Sequence, residues 1–258
     1  MLYDTIRYDV TDGIATVTLN RPEVMNALNV QMRAEIADAV GRAGAGARVV
    51  VLTGAGRAFC SGQDLGEGAD IGAIDLERVL RDEYLPMLQA IGDCPVPVLA
   101  AVNGAAAGAG ANLALACDVV IAAESAVFLQ AFARVGLMPD GGGTYWLPRQ
   151  VGFARAMGAA LFAEPVPARQ AEEWGMIWEA VPDAGFADHW HARARQLAEG
   201  PSAAYTQIKT ALRASFSNDL QAQFELEARL QGECGRSRDF QEGVLAFLEK
   251  RKAQFEGR

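Results

Sequence analysis

Two apolar runs of strand length, each opening into a glycine-rich turn, constrain this chain more than any other feature. Arg48–Thr53 runs into Gly54 and Gly56. Val96–Val102 runs into Gly104–Gly110, a stretch of glycine and alanine only. An apolar run without polar alternation is the pattern of a strand covered on both faces, as in a parallel sheet. Parallel strands need long crossovers, so helices are expected between them. Asn29 is placed to cap one whose apolar positions Met32, Ile36, Ala39 and Val40 share a face. Leu76–Ile91 reads as a second, stopped near Gly92 and Pro95, and Asn112–Cys117 as a third. A hairpin leads the chain: Thr5–Val10 and Ile14–Leu19 flank an Asp12-Gly13 turn, and Asn20-Arg21-Pro22 ends the second strand. Asp118–Ala123 and Ala126–Leu129 add further strands. The fold class is α/β.

After about Pro182 the pattern becomes helical, with helices expected at Asp188–Glu199, Ala203–Ser215, Leu220–Leu230 and Phe240–Gln254. Leu220, Phe224 and Leu230 form an apolar stripe broken at Glu227. The chain is therefore divided into a core, residues 1–195, and a helical domain, residues 196–258. The apolar faces of that domain need a partner surface, and a second subunit is the candidate. The net charge of −9, from 23 Lys and Arg against 32 Asp and Glu, argues against nucleic-acid or membrane-surface binding. The apolar runs are interrupted well before membrane-spanning length, and the N-terminus carries no signal-peptide pattern. Cys60, Cys94, Cys117 and Cys234 are scattered and only two histidines are present, so neither disulfides nor a metal site is expected. A cytoplasmic, metal-free protein is the expectation.

The two glycine-rich turns are expected at the ends of neighbouring strands. Glycine there lets backbone N–H groups approach a ligand unobstructed. A helix start adds unpaired donors and a dipole favouring negative charge. Two donors converging on one oxygen make an oxyanion hole. The competing reading is close packing of helix on strand, for which small residues are equally suited.

Several segments, in order, resemble the crotonase (enoyl-CoA hydratase/isomerase) superfamily: Asn20-Arg21-Pro22 with Asn26-Ala27-Leu28-Asn29, the Ala58–Leu65 loop, Ala101–Asn112, Gly136–Thr144, and the ending from Glu242-Gly243 to Arg251. The resemblance covers nearly the whole chain. It implies a spiral of ββα units followed by a helical trimerisation domain, and trimers or hexamers. It implies an acyl-CoA thioester substrate, with coenzyme A entering as part of that substrate and no separate cofactor. Carried over residue by residue, the oxyanion donors are the backbone N–H groups of Gln63 and Ala109. The loop holding Arg21, Val24, Met25 and Ala27, with Ser61, Asp64 and Leu65, is implied to hold the pantetheine arm and adenine. Gly108, Gly110, Asn112, Phe132 and Pro139 are implied to surround the substrate. Lys252 and Phe255 are implied to meet the nucleotide end of a substrate, in their own or a neighbouring subunit, or else form a solvated helix end.

Family hydratases use two glutamates, and the motifs place Asn112 and Phe132 at those positions. Neither side chain carries a proton at neutral pH. Asp140 is the one carboxylate left at a family catalytic position. A single carboxylate can take a proton from one carbon and return it to another, which is an isomerisation. Phe132, Leu137, Met138 and Trp146 would raise its pKa, while a helix N-terminus would lower it. The alternative is that Asp140 caps a helix beginning at Gly141. Within the family, Gly54–Leu65, Gly104–Ala111 and Glu173–Trp178 most resemble ring-epoxide isomerases acting on aryl-acetyl thioesters.

Other carboxylates compete less well. Asp64 reads as a turn cap and Asp118 as a backbone partner, while a second acid/base group from Glu67, Asp70, Asp75 or Glu83 is left open. Two other classes compete. Gly104-x-x-x-Gly108-x-Gly110 with Tyr205-x-x-x-Lys209 echoes short-chain dehydrogenases, but that glycine turn belongs after a first strand. A non-catalytic acyl-CoA-binding protein is the other alternative.

Overall fold

The computed structural model describes residues 3–66 and 75–258. The chain opens with the hairpin β1 (Ile6–Thr11) and β2 (Ile14–Leu19), with Asp12 and Gly13 both at positive φ in the turn. These are the conformations that a two-residue turn needs if its twist is to match the strands. Helix α1 (Val30–Gly46) follows, its first turn capped by the Asn29 side chain accepting from Met32 N–H. Then come β3 (Val49–Gly54) and the short β4 (Ala58–Cys60). Next is a continuous helical rod made of α2 (Leu76–Val79), one π-helical segment (Leu80–Tyr84) and α3 (Leu85–Asp93). The pattern repeats with β5 (Val98–Val102), β6 (Ala105–Ala107) and α4 (Ala109–Leu115). It repeats again with β7 (Val119–Ala123), β8 (Val127–Leu129), α5 (Gly143–Val151) and α6 (Phe153–Phe162). The chain continues through β9 (Val166–Pro167), α7 (Ala168–Glu173) and β10 (Glu179–Val181). It ends in α8 (Phe186–Ala198), α9 (Ser202–Ala214), α10 (Leu220–Cys234) and α11 (Arg238–Glu249).

The long strands make one sheet in the order β1-β2-β3-β5-β7-β10, and the short ones a second in the order β4-β6-β8-β9. Each long strand at the centre is thus followed by a short strand in the other sheet and then by helix. This is the expected ββα succession. The glycine-rich stretches are more than turns, because each holds a short strand, β4 or β6. Three-residue strands of alanine, phenylalanine and cysteine carry no periodicity that marks them in sequence.

The central strands are buried on both faces. Val50, Leu52, Val98, Ala100, Val102 and Ala122 point into the main core, while Val49, Val51, Leu99, Ala101 and Ile121 point the other way. That second face is covered by α8 through Phe186, Trp190, Ala194 and Ala198. Trp190→Ala is expected to lower the unfolding free energy by about 3–5 kcal/mol through lost burial and a residual cavity. A urea titration checks it, and a loss below about 1 kcal/mol would show that α8 merely rests on the sheet.

Helix α9 is pinned to the core by Lys209, whose ammonium donates to the carbonyls of Cys94 (2.7 Å) and Val96 (2.8 Å) and pairs with Asp118 (2.6 Å). Asp118 also accepts from Val98 N–H and from Arg213. The Tyr205/Lys209 pattern is therefore a packing feature, and Asp118 has the backbone-bonding role expected of it. The last helix stops at Glu249, short of Gln254. The tail beyond it folds back, with Glu256 N–H and Gly257 N–H donating to the buried Asp239 carboxylate. Among the described residues no helix is long and apolar enough to cross a membrane, and no cluster of His, Cys, Asp or Glu is arranged to hold a metal ion.

Candidate active site

The loop after β4 lies beside the start of α4. Leu28 makes an isolated parallel bridge to Gln63, in which Leu28 N–H donates to Gly62 O (2.7 Å) and Asp64 N–H donates to Leu28 O (3.2 Å). Amides of successive residues in an extended chain point to opposite sides. The Gln63 N–H therefore points away from Leu28, toward the side where β4 pairs with β6. Just there the pairing of β4 with β6 ends, at Cys60 and Ala106. Gly108 N–H turns to Leu129 O (2.7 Å), and Ala109 begins α4, so its N–H has no intrahelical acceptor. Among the described residues, the two donors expected from the family resemblance are thus left unpaired by adjoining strand ends.

Gly62 makes this possible. Its φ is +96°, and a Cβ added there would stand 2.8 Å from Ala107 O and 3.3 Å from Ala109 N. Gly110 is different. A Cβ there would fall 2.3 Å from Cys60 O, so this glycine serves the packing of α4 on β4 and does not face a ligand. The close-packing reading thus holds at Gly110, while Gly62 keeps the backbone beside Ala109 uncovered.

The donors open on a cavity of about 160 Å³. Gln63, Gly108, Ala109, Phe132, Leu137 and Asp140 line it, as expected, together with Ser61 and Leu65. Leu76, Val79, Leu80, Tyr84, Ala131 and Val135 also line it and were not anticipated. Leu76, Val79, Leu80 and Tyr84 share one face of the helical rod at helical spacing, and Tyr84 is buried there.

Asp140 is the one carboxylate among the described residues lining the cavity. Its carboxylate accepts no hydrogen bond among those residues. Burial alone pushes its pKa up to about 6. The Asp140 side chain does not cap the next helix, which begins later, at Gly143, with Gly142 as N-cap. It is instead the Asp140 carbonyl that accepts, from Gly143 N–H (2.9 Å) and from the Asn112 side-chain amide (2.6 Å). Met138 is 66% exposed and Trp146 packs under Arg213, so neither contributes to the apolar surround assigned to them.

Several expected substrate contacts are corrected. Asn112 is fully buried, holds Asp140 from behind and accepts from Gln130 (2.8 Å). Neither it, Gly110 nor Pro139 borders the cavity. Arg21 is spent on Ala27 O (2.7 Å) and Asp64 (2.7 Å). Burial opposes ionisation of Asp64, but hydrogen bonds from Gly66 N–H and Arg21 outweigh it and hold the carboxyl below its ordinary range. Asp64 is thus the turn cap it was expected to be. Ala27 is buried, while Val24, Met25 and Leu65 remain exposed beside the loop. Lys252 pairs with Glu199, and Phe255 packs near Gly243. Within one chain both border a separate groove against α8 and α9.

The carboxylates considered as a second acid/base group are also placed. Asp75 caps α2, and Glu83 pairs with Arg33 and Arg78. Glu67 and Asp70, with most of the loop between Gly66 and Asp75, lie outside the described residues. Two buried polar groups went unnoticed in the sequence. Asn26, at positive φ, donates to Ala55, Ala58 and Phe59 carbonyls and so shapes the approach to β4. Arg33 sits on the apolar helix α1, where a lone cation reads as exposed. The cue for Asn26 is that asparagine tolerates the left-handed region; for Arg33 there is none.

Two stacked sheets in ββα succession, with unpaired amides facing a desolvated carboxylate, define a crotonase-like protein. The chain belongs to the enoyl-CoA hydratase/isomerase family, whose model matches residues 9–258. Members of this family act on CoA thioesters. Over 258 residues, all of both chains, it is 67% identical to a Rhodobacter capsulatus protein named "Probable enoyl-CoA hydratase". It is 46% identical over 259 residues to the 1,2-epoxyphenylacetyl-CoA isomerase of Escherichia coli, covering 96% of this chain and 97% of that one. The crystal structure of an enoyl-CoA hydratase from Bacillus anthracis matches with a TM-score of 0.91 at 31% identity, covering 99% of this chain and all of the other.

Proposed function

We propose that this chain is a CoA-thioester isomerase working through an enolate. The observation that carries the reading is the desolvated carboxylate of Asp140, the one carboxylate among the described residues lining a cavity whose other polar groups include the N–H groups of Gln63 and Ala109, unpaired among those residues. Asp140 takes a proton from the carbon beside the thioester. The electron pair moves onto the thioester oxygen, held by the two N–H groups. Asp140 then returns the same proton two carbons along, and the double bond shifts from the 3- to the 2-position. No water is added and no group beyond coenzyme A is needed.

The Asn112 and Phe132 positions support this over hydration. Asn112 is an amide locked behind Asp140 and Phe132 is apolar, so neither activates a water. The likeness to the Escherichia coli isomerase makes a ring-epoxide of an aryl-acetyl-CoA the second substrate to try. Hydration is the rival reading, and the Rhodobacter capsulatus relative's name is what favours it.

The proposal includes assembly. The helical part, residues 196–258, leaves Ile208, Leu212, Phe224, Phe247 and Leu248 more than half exposed, which supports a trimer or pair of trimers. In such an assembly Lys252 and Phe255 would meet the nucleotide end of a neighbour's substrate.

The test is incubation with a 3-enoyl-CoA, following thioester conjugation by absorbance and product by mass. Conjugation without mass change is expected; a product heavier by one water would restore the hydratase. Because the base must be ionised, kcat is expected to rise with pH through about 6 and then level. A profile flat from pH 5 to 8 would remove Asp140 from the rate-limiting proton transfer.

A further inference from the structure

The side chain of Gln63 does not face the substrate cavity's reaction; it is held from behind by a buried polar array. Its Oε1 accepts from Arg33 Nη1 (3.0 Å) and from the Tyr84 hydroxyl (2.7 Å). Arg33 Nη1 also donates to Leu28 O (2.6 Å), the carbonyl that accepts from Asp64 N–H. One guanidinium therefore grips both the side chain of Gln63 and the strand bridged to it. Arg33 is itself fixed by Glu83, which accepts from its Nε (3.1 Å) and its Nη2, and it lies over the Tyr84 ring, 4.8 Å from the centroid. The side chains of Arg33 and Glu83 are only 2% and 12% exposed. Tyr84 closes the array on the other side, since its ring approaches Gly141, next to the base.

A buried ion pair of this kind is weak as a device for stability, because apolar residues of similar volume usually do as well. What it supplies is a fixed geometry. The peptide between Gly62 and Gln63 is otherwise held by the single bridge to Leu28, and a glycine at positive φ adjoins it.

We infer that the Glu83–Arg33 pair, with the Tyr84 hydroxyl, is a positioning device that aims the Gln63 N–H at the thioester oxygen. The inference rests on the oxyanion-hole reading of Gln63. An amide displaced by a fraction of an ångström binds a ground-state carbonyl nearly as well but stabilises the enolate less. The array therefore acts on kcat and leaves KM alone.

The test replaces the pair by apolar residues of similar length, Arg33→Met with Glu83→Met, and reads two quantities. The first is kcat and KM for the 3-enoyl-CoA. The second is the absorption band of bound trans-cinnamoyl-CoA, a conjugated thioester whose band moves to longer wavelength when its carbonyl is polarised. The wild type is expected to shift the band. The double variant is expected to lose most of that shift and roughly ten- to a hundred-fold in kcat, with KM within about two-fold. Tyr84→Phe, which removes one hydroxyl and keeps the ring, is expected to lose part of both and serves as the deciding variant if the double variant does not fold. A folded variant with the full band shift and unchanged kcat, whatever its melting temperature, overturns the inference alone. A wild-type protein that leaves the band unmoved overturns the oxyanion-hole reading and the inference with it.

Discussion

The Asp140→Asn variant is expected to lose about a thousand-fold in isomerisation rate while binding acyl-CoA as tightly as the wild type. Asparagine keeps the shape, and the backbone carbonyl of residue 140 still accepts from Asn112 and Gly143, so the loop stays in place. Only the proton acceptor is gone. The same change is expected to raise stability, and the sign follows from the pKa. Burial raises the carboxyl from its ordinary 3.8 to about 6 in the folded chain. Ionising it there costs free energy that the unfolded chain does not spend, so its contribution turns increasingly unfavourable from pH 4 to 6 and stays so above. Asparagine carries no such penalty. The variant is thus expected to melt higher than wild type at pH 8 and at the same temperature near pH 4. Thermal unfolding at the two pH values, beside turnover and calorimetric binding of a saturated acyl-CoA, checks both halves. Unchanged turnover would remove Asp140 as the base, and equal melting at pH 8 would mean that its carboxylate is better solvated than its surroundings imply.

Gly62→Ala is expected to be almost as damaging, for a reason of geometry alone. The added Cβ would meet Ala107 O at 2.8 Å and crowd the Ala109 nitrogen at 3.3 Å, on a backbone with φ of +96°. The loop must shift, and with it the Gln63 N–H, while Ala109 N–H is partly covered. Loss of one oxyanion donor typically costs about a hundred- to a thousand-fold in kcat, and this substitution disturbs both. Gly41→Ala is the control. That glycine lies in α1 with open space around it, so the same methyl is expected to leave turnover unchanged and stabilise the helix by about 1 kcal/mol. Retention of more than a tenth of the wild-type kcat by Gly62→Ala would show that the thioester oxygen is not bound between these two amides.

The strands of the main sheet other than the edge strand β10, the hairpin, the cap at Asn29 and the tail helices were legible because each writes its physics locally. A doubly buried strand is continuously apolar, a tight hairpin needs Asp-Gly, and a helix start needs an acceptor. The second sheet was legible only at β8, expected as Ala126–Leu129. β4 and β6 are three residues long and made of small residues, so their only mark was glycine content, which also indicates a turn. The site divided the same way. Asp140, Gln63 and Ala109 were named from the family resemblance, whereas Leu76, Val79, Leu80 and Tyr84 were not, because an apolar helix face does not say whether it covers core or borders a cavity.

By itself, then, the sequence determined which groups the proposed site has to work with: among the described lining residues one carboxylate, two glycine-bordered amides, and an amide and a phenyl ring at the positions where the resemblance puts the hydratase glutamates. Those are facts of covalent identity and no folding can alter them. What only the tertiary structure decided is the state of those groups. Whether Asp140 is raised by burial or lowered by a helix start depended on where α5 begins, two residues later than expected. Whether Gln63 N–H is free depended on a bridge to Leu28, thirty-five residues earlier in the chain. Whether Asn112 meets substrate or holds the base depended on which side of the Asp140 loop it packs. Desolvation, amide direction and contact are set by distant parts of the chain meeting, and no local stretch of residues carries that information.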